Sequence, residues 1–488
     1  MCSHCAISSA QQVTRIEILS SNEMSFDQSK FGNVKRLIGN VALKNENTIM
    51  TCDSAYMFDE DQNFEAFSNV KINQGDSVNV TAKHLLYGSK DKIAHLDGNV
   101  WLTQGKMTLN TERLDYSLKD KKAYYNTPGK LTNKESVLTS LSGEYWTQSK
   151  EAHFRQRVKL KNPEYELLTD TLIYNTGSEE SRFYGVSTIV TKTDSIYALK
   201  GWYNTKTGIG KFANQVSIKT GGQTLNTDSL YYDQNLGKGY AHGHLNFFDS
   251  TEKMHLKGDE GYYNKVPQMM QMNNNAFASK IMGQDTVFIG ADTLYYQGDS
   301  IKHDRRMNAW GQVKLFKNDV QAICDTLCYM IDDSNVSMFK NPVLWSSENQ
   351  LTADSIYIFL SHDQIDHIVL QKHGFIVSHE KGPHYNQIKG DSLVGIFDSG
   401  EIKRVKVFGN GQSIYHVRED TNKYTGLNEI ACPVMEVFLS QEKVKGIKFM
   451  GKSTATLHPI GKTKSEKFRL KGFTWKQNLR PPKPLYDF

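Results

Sequence analysis

An all-β repeat fold is predicted for this 488-residue chain by three features. A Val-centred alternating motif returns about every 30 residues, an acidic motif follows it at a fixed distance, and turn-forming residues separate the two. Composition allows such a fold: 38% hydrophobic residues, with 24 Tyr and 23 Phe, exceed what disordered chains carry. No run approaches the 18 or so apolar residues of a membrane-spanning helix. With only 10 Pro and 36 Gly, collagen-like and low-complexity chains are excluded.

The first motif reads Gly39-Asn40-Val41-Ala42-Leu43, Ser68-Asn69-Val70-Lys71-Ile72 and Gly98-Asn99-Val100-Trp101-Leu102. It returns around Val158, Val186, Val216, Val313 and Val343, with weaker copies at Gly129-Lys130-Leu131 and Gly243-His244-Leu245. Successive Val positions differ by 29, 30, 58, 28, 30, 97 and 30 (41, 70, 100, 158, 186, 216, 313, 343), so the larger gaps are close to two and three copies. The second motif is Asp-Ser or Asp-Thr before an aliphatic and Tyr, as in Asp53-Ser54-Ala55-Tyr56, Asp228-Ser229-Leu230-Tyr231 and Asp292-Thr293-Leu294-Tyr295. The acidic residue stands 12 after Val in five copies (41 to 53, 100 to 112, 158 to 170, 216 to 228, 313 to 325). Apolar residues at i and i+2 signal strands with one buried side. Two or three turns per repeat predict three or four short strands in each, and stacked repeats share one apolar stripe.

These paired motifs resemble the repeats of the OstA/LptA family, lipopolysaccharide-transport proteins of the Gram-negative envelope. Gly98-Asn99-Val100-Trp101-Leu102 with Leu109-Asn110-Thr111-Glu112-Arg113-Leu114-Asp115-Tyr116 carries the likeness most closely, and Val216-Ser217-Ile218 with Leu225–Tyr231 repeats it. The resemblance covers residues 14–430. It implies an elongated β-jellyroll built from repeats of about 30 residues, two stacked sheets forming an apolar groove that holds the acyl chains of lipid A. It also implies a periplasmic place near the outer membrane and partnership with other jellyroll components, or with copies of itself, through edge-strand pairing. Two departures stand out. The chain is far longer than a single LptA-like jellyroll, and no membrane barrel follows the repeats. Phe488 is a barrel-like terminus, but Pro481, Pro482 and Pro484 spoil a last strand.

The groove-lining candidates are the inward aliphatics of the first motif: Val41, Leu43, Val70, Ile72, Val100, Leu102, Val158, Leu160, Val216, Ile218, Val313 and Leu315. A register slip of one residue would turn them all outward. The repeated Asp is read as closing turns or bends at strand corners, because a catalytic carboxylate occurs once rather than in every repeat. No nucleotide, nucleophile or metalloprotease motif is present. His242 with His244, and His362, His367, His373, His379 and His384, have no completing ligands. The reading is therefore non-enzymatic, with no cofactor, no metal and no nucleic acid. Two other classes stay open: a β-helix enzyme acting on polysaccharide, which calls for unrepeated Asp, Lys or Arg clusters, and a β scaffold whose interior is filled.

The expected domains are a signal-peptide remnant at 1–12, arrays at 13–265 and 266–432, and a basic extension at 433–488. From Gln441 to Phe488 twelve Lys/Arg face Glu442, Glu466 and Asp487, a tail suited to phosphates or to solvent. Cys2 and Cys5 lack a second pair for zinc, and Cys52, Cys324, Cys328 and Cys432 are expected as small buried residues.

Overall fold

The structure, a computed structural model, describes residues 16–26, 34–58, 62–75, 78–299, 304–362, 364–380, 382–398, 401–420, 423–440, 443–459 and 467–484. Among these there is no α-helix, and antiparallel strands pair mostly in sequence order. The chain divides into two compact units, Met1–Gly221 and Gly222–Phe488. The signal-remnant reading, Cys2, Cys5 and Phe488 fall outside the described residues.

The first unit shows how the motif makes the fold. Val34–Asn45, Thr48–Phe58, Asn63–Gln74, Val78–Gly88, Ile93–Gln104 and Met107–Ser117 follow one another, each paired to the next. Between the first two, the ladder runs to Ile38↔Ser54 and resumes at Val41↔Cys52. Gly39 and Asn40 thus oppose Asp53 alone, and two residues against one make a β-bulge that bends the strand. Both are left-handed, at φ 74° and 48°, a conformation that Gly adopts freely and Asn tolerates. The same dyad recurs at Ser68–Asn69 and Gln156–Arg157, and in the second unit at Gly243–His244, Gly311–Gln312 and Gly409–Asn410.

This row of bulges folds the ladder lengthwise into two layers. In Asn63–Gln74, Phe64 and Ala66 are buried before the bend, and Val70 and Ile72 after it. Each repeat is therefore two long strands, each bent once, rather than three or four separate short ones. The turn-like Gly-Asn pairs mark the bends, and the strands run on through them.

Each unit breaks the pattern once, at a proline. Around Pro128 the long strand becomes Lys122–Tyr125 and Gly129–Asn133, and it returns as Ser136–Ser140 and Ser142–Trp146. Around Pro342 the pieces are Asn335–Phe339 and Val343–Ser346, then Asn349–Thr352 and Ser355–Ser361. Proline has no N–H for a ladder bond, yet each piece still pairs within its own layer. The second unit begins at Gln223–Asp233 and continues to Thr454–Pro459. At the expected boundary after Lys265, Met254–Asn264 and Met269–Met282 pair through with the usual bulge.

Val186 is a register correction. It is 63% exposed, whereas Ser187 beside it is 1% exposed and lies 2.7 Å from Thr169 across the strand pair. The inward place is 187, which restores spacings of 29 from Val158 and to Val216. A polar residue there hid it from an apolar pattern.

The extension also differs from a solvated tail. Leu470 is buried with Phe375, Val377, Ile414 and Leu427, and Phe468, Phe473 and Trp475 pack beside it. Gln387 Oε1 accepts from the Leu470 N–H at 2.9 Å, and Arg480 Nε donates to Gln321 Oε1 at 2.6 Å. The segment Lys467–Pro484 straps the sheet, because its aromatics cover apolar surface that its lysines alone would leave open. Lys462, Lys464, Glu442, Glu466 and Asp487 lie outside the described residues.

Candidate functional site

At many bends, the acidic residue of one strand meets the left-handed dyad of the next. Asn69 Nδ2 donates to Asp53 Oδ2 at 2.8 Å, and Asn410 Nδ2 donates to Asp391 Oδ2 at 2.9 Å. His244 Nδ1 lies 2.7 Å from Asp228, which holds the imidazole pKa above its ordinary value. His373 Nδ1 lies 3.0 Å from Asp354. The acid is a corner fastener, as its recurrence implied, and it mostly bonds side chain to side chain. It also explains the glycine: a Cβ at Gly311 would sit 2.2 Å from Asp292 Oδ2, and one at Gly409 2.3 Å from Asp391 Oδ2.

The predicted inward residues are buried in both units, apart from Ile218, which is half-buried. Leu102 is 0% exposed and its neighbour Trp101 43%, so the register is the expected one. In the first unit, however, these side chains meet a filled interior. Tyr87, Tyr116, Tyr145, Phe64, Phe154 and Phe183 are among the largest fully buried side chains.

The layer edges opposite the bends are also closed there. Asn45 Nδ2 donates to the Tyr87 hydroxyl at 2.9 Å. The Tyr116 hydroxyl donates to Gln74 Oε1, and that of Tyr145 to Gln104 Oε1 at 2.7 Å. Asn133 Nδ2 reaches the Tyr174 hydroxyl at 3.4 Å. Each pair joins one layer to the other across 42, 42, 41 and 41 residues. Burial pushes the Tyr87 pKa up to about 12 and raises those of Tyr116, Tyr145 and Tyr174, so each keeps its proton. A net contribution of about 1 kcal/mol per neutral bond is usual. These tyrosines recur every 29 residues (87, 116, 145, 174), a period visible in the sequence and absent from the candidate list.

The second unit holds an apolar cavity of about 70 Å³ between its layers, lined by Ile289, Met307, Leu315, Leu327, Ile358 and Leu360 among others. Of the predicted residues, only Leu315 lines it. Most of the others belong to strand halves that carry the acidic–Tyr motif or lead into the bend, whose alternation (Ile356-Tyr357-Ile358-Phe359-Leu360) was equally available. Lys280 and Lys317 stand at its polar edge. Lys280 Nζ is 2.9 Å from Glu252 and Lys317 Nζ 2.7 Å from Asp319. Glu252 also pairs with Arg305, which lies 2.6 Å from Asp332. The closure beside this cavity is therefore ionic, where the first unit uses amides and tyrosines. A second cavity of about 70 Å³ lies further along, between Leu351, Ile376, Val405 and Val437.

Burial raises the Cys52 and Cys324 thiols, to about 11 and about 12, which keeps them unreactive. Cys432 is buried as well, and Cys328 is half-buried. Among the described residues no three His, Cys, Asp or Glu side chains gather to hold a metal, and no helix is long and apolar enough to cross a membrane.

Residues 13–170 match the family described as OstA-like protein. No curated protein matches the chain. Among solved structures, it is similar to LptH of Pseudomonas aeruginosa, titled the LptA-homologous periplasmic component of the lipopolysaccharide transport device. Identity is 13%, over 28% of this chain and 81% of that one, with a TM-score of 0.15. Residues 13–170 are thus similar to the OstA-like family, and the bulge-and-acid corner continues past that stretch to Gly409–Asn410.

Proposed function

We propose that the chain is a non-enzymatic, periplasmic carrier of lipopolysaccharide, bridging inner and outer membrane, and that its second unit takes the acyl chains. The apolar cavity at Leu315, Leu327 and Ile358 carries this reading, and the OstA-like stretch supports it. Burying each CH₂ of a lipid tail is worth about 0.8 kcal/mol. The other predicted positions, from Val41 to Val313, would touch lipid only if the layers part.

Partnership with other jellyrolls by strand addition is part of the proposal. Glu17–Ser20 and Glu23–Phe26 pair only with Val34–Asn45 among the described strands and expose Leu19, Met24 and Phe26. Exposed edges of this kind are templates for another chain. The buried aromatics of the first unit favour a second role for that unit, as a spacer that holds no acyl chain.

A photoreactive residue placed at Ile358, and separately at Leu102, tests the reading in cells. Lipopolysaccharide adducts at Ile358 and none at Leu102 are expected. Adducts at Leu102 as well would show that the layers open. A folded protein with no adduct at Ile358 would overturn the cavity assignment.

A further inference from the structure

In the first unit, the mouth between the layers widens past Asn133–Tyr174 into a polar cleft of about 500 Å³. That volume lies within the usual range of small-molecule sites, roughly 300–1,000 Å³. One repeat beyond Asn133, Asn162 turns its Oδ1 to its own loop, accepting from the N–H groups of Glu164 and Tyr165 at 2.9 and 2.8 Å. The Tyr165 ring meets Tyr203 edge-on at 5.4 Å, and both line the cleft. Tyr165 is 7% exposed, and its hydroxyl has no hydrogen-bond partner among the described residues.

The charges of the lining narrow the ligand. Lys106 and Lys134 stand against Glu135, Glu164 and Glu179, and Lys134 is held by Glu179. The two lysines are outnumbered by carboxylates, which disfavours a phosphate, and among the described residues no three His, Cys, Asp or Glu side chains gather to hold a metal cation. Amides, hydroxyls and carboxylates surround tyrosine rings whose bodies are apolar and whose tips are polar. That combination suits a ligand with many hydroxyls and an apolar C–H face.

We infer that this cleft binds an oligosaccharide, a hexose chain seated against Tyr203 with its hydroxyls bonded to the polar lining. The site stands on the first unit alone and is independent of acyl-chain binding in the second. Its sugar could come from the glycan of a lipopolysaccharide or from a neutral glycan.

The full chain is titrated calorimetrically with fully deacylated lipopolysaccharide and, separately, with maltoheptaose. Saturable binding of either supports the site. Binding of the first alone identifies the lipopolysaccharide glycan as the source, and binding of both identifies a general hexose site. Tyr203→Ala is expected to weaken binding at least tenfold. Glu135 and Glu164 are exposed turn residues, so the double variant Glu135→Ala/Glu164→Ala should fold as the parent does and weaken binding about fivefold. No saturable binding of either sugar by the parent, or parent-like binding by the double variant, overturns the site. Adducts at Ile358 are read separately, so loss of this cleft leaves the carrier reading standing.

Discussion

The two units share one corner and differ in what lies opposite it. In both, left-handed residues at bulges bend the ladder, and an acidic residue fastens many of the bends. In the first unit the interior is packed with aromatics and its mouth is fastened by buried amide–tyrosine bonds. In the second, aliphatic and Met side chains leave a cavity, and its neighbouring closure is a cluster of charges. The corner thus sets the architecture, and the free ends of the strands set what the interior can hold. Aromatic filling also depends on glycine: a Cβ at Gly201 would lie 2.0 Å from Phe183, so ring and glycine form one device.

The sharpest way to break this contrast is to give the first unit a cavity. Phe154 is 1% exposed, and Phe154→Ala should cost about 3–5 kcal/mol in denaturant unfolding. The same variant should acquire binding of an environment-sensitive apolar dye. A smaller loss without dye binding would mean that the layers collapse onto the gap, and that packing in this unit is more forgiving than its burial implies.

Acid should separate the units next. His416 is 1% exposed, and burial, then the nearby His384 and Arg469, push its pKa from 6.5 down to about 4. Its Nδ1 lies 3.2 Å from Asn386 Oδ1. As pH falls through 6.5, the unfolded chain binds a proton that the folded chain refuses, so stability declines from there to about pH 4 and then levels. His384 is shifted in the same direction. Both sit where the strap docks, since Arg469 donates to Pro383 O at 3.0 Å. The unfolding midpoint, followed from pH 7 to 4, should drop less in His416→Gln than in the parent. Parallel profiles would show that this histidine is not the acid-sensitive group.

Much of this was legible in the sequence, for physical reasons. A period of about 30 and a fixed offset of 12 report a repeating hydrogen-bond register, and the alternation around Val70, Val100 and Val158 gave the buried side correctly. What Gly-Asn meant was less accessible, because the same residues serve turns and bulges. The pattern also could not say whether buried aliphatics face a void or other side chains. Leu102 and Leu315 look alike in sequence, and nothing in their alternation says that Leu315 lines the apolar cavity of the second unit. What faces a buried aliphatic comes from the other layer, which the alternation of one strand does not report.

The corner offers the finest test, because its two versions should respond with opposite sign. Gly311 has φ 75°, and its missing Cβ leaves room for the Asp292 carboxylate. Gly311→Ala should therefore cost about 1–2 kcal/mol from the left-handed backbone alone, with more from displacing Asp292. Arg157, exposed and left-handed at φ 53°, already bears that backbone cost. Arg157→Gly relieves it but adds about 0.5–1 kcal/mol of chain entropy, for a net gain of about 0.5 kcal/mol. Denaturant midpoints at constant m-value would read both changes. If Arg157→Gly destabilises instead, its side chain contributes more than backbone geometry at that bend. The Gln156–Arg157 corner would then be held partly by side-chain contacts, which Gly311 does without.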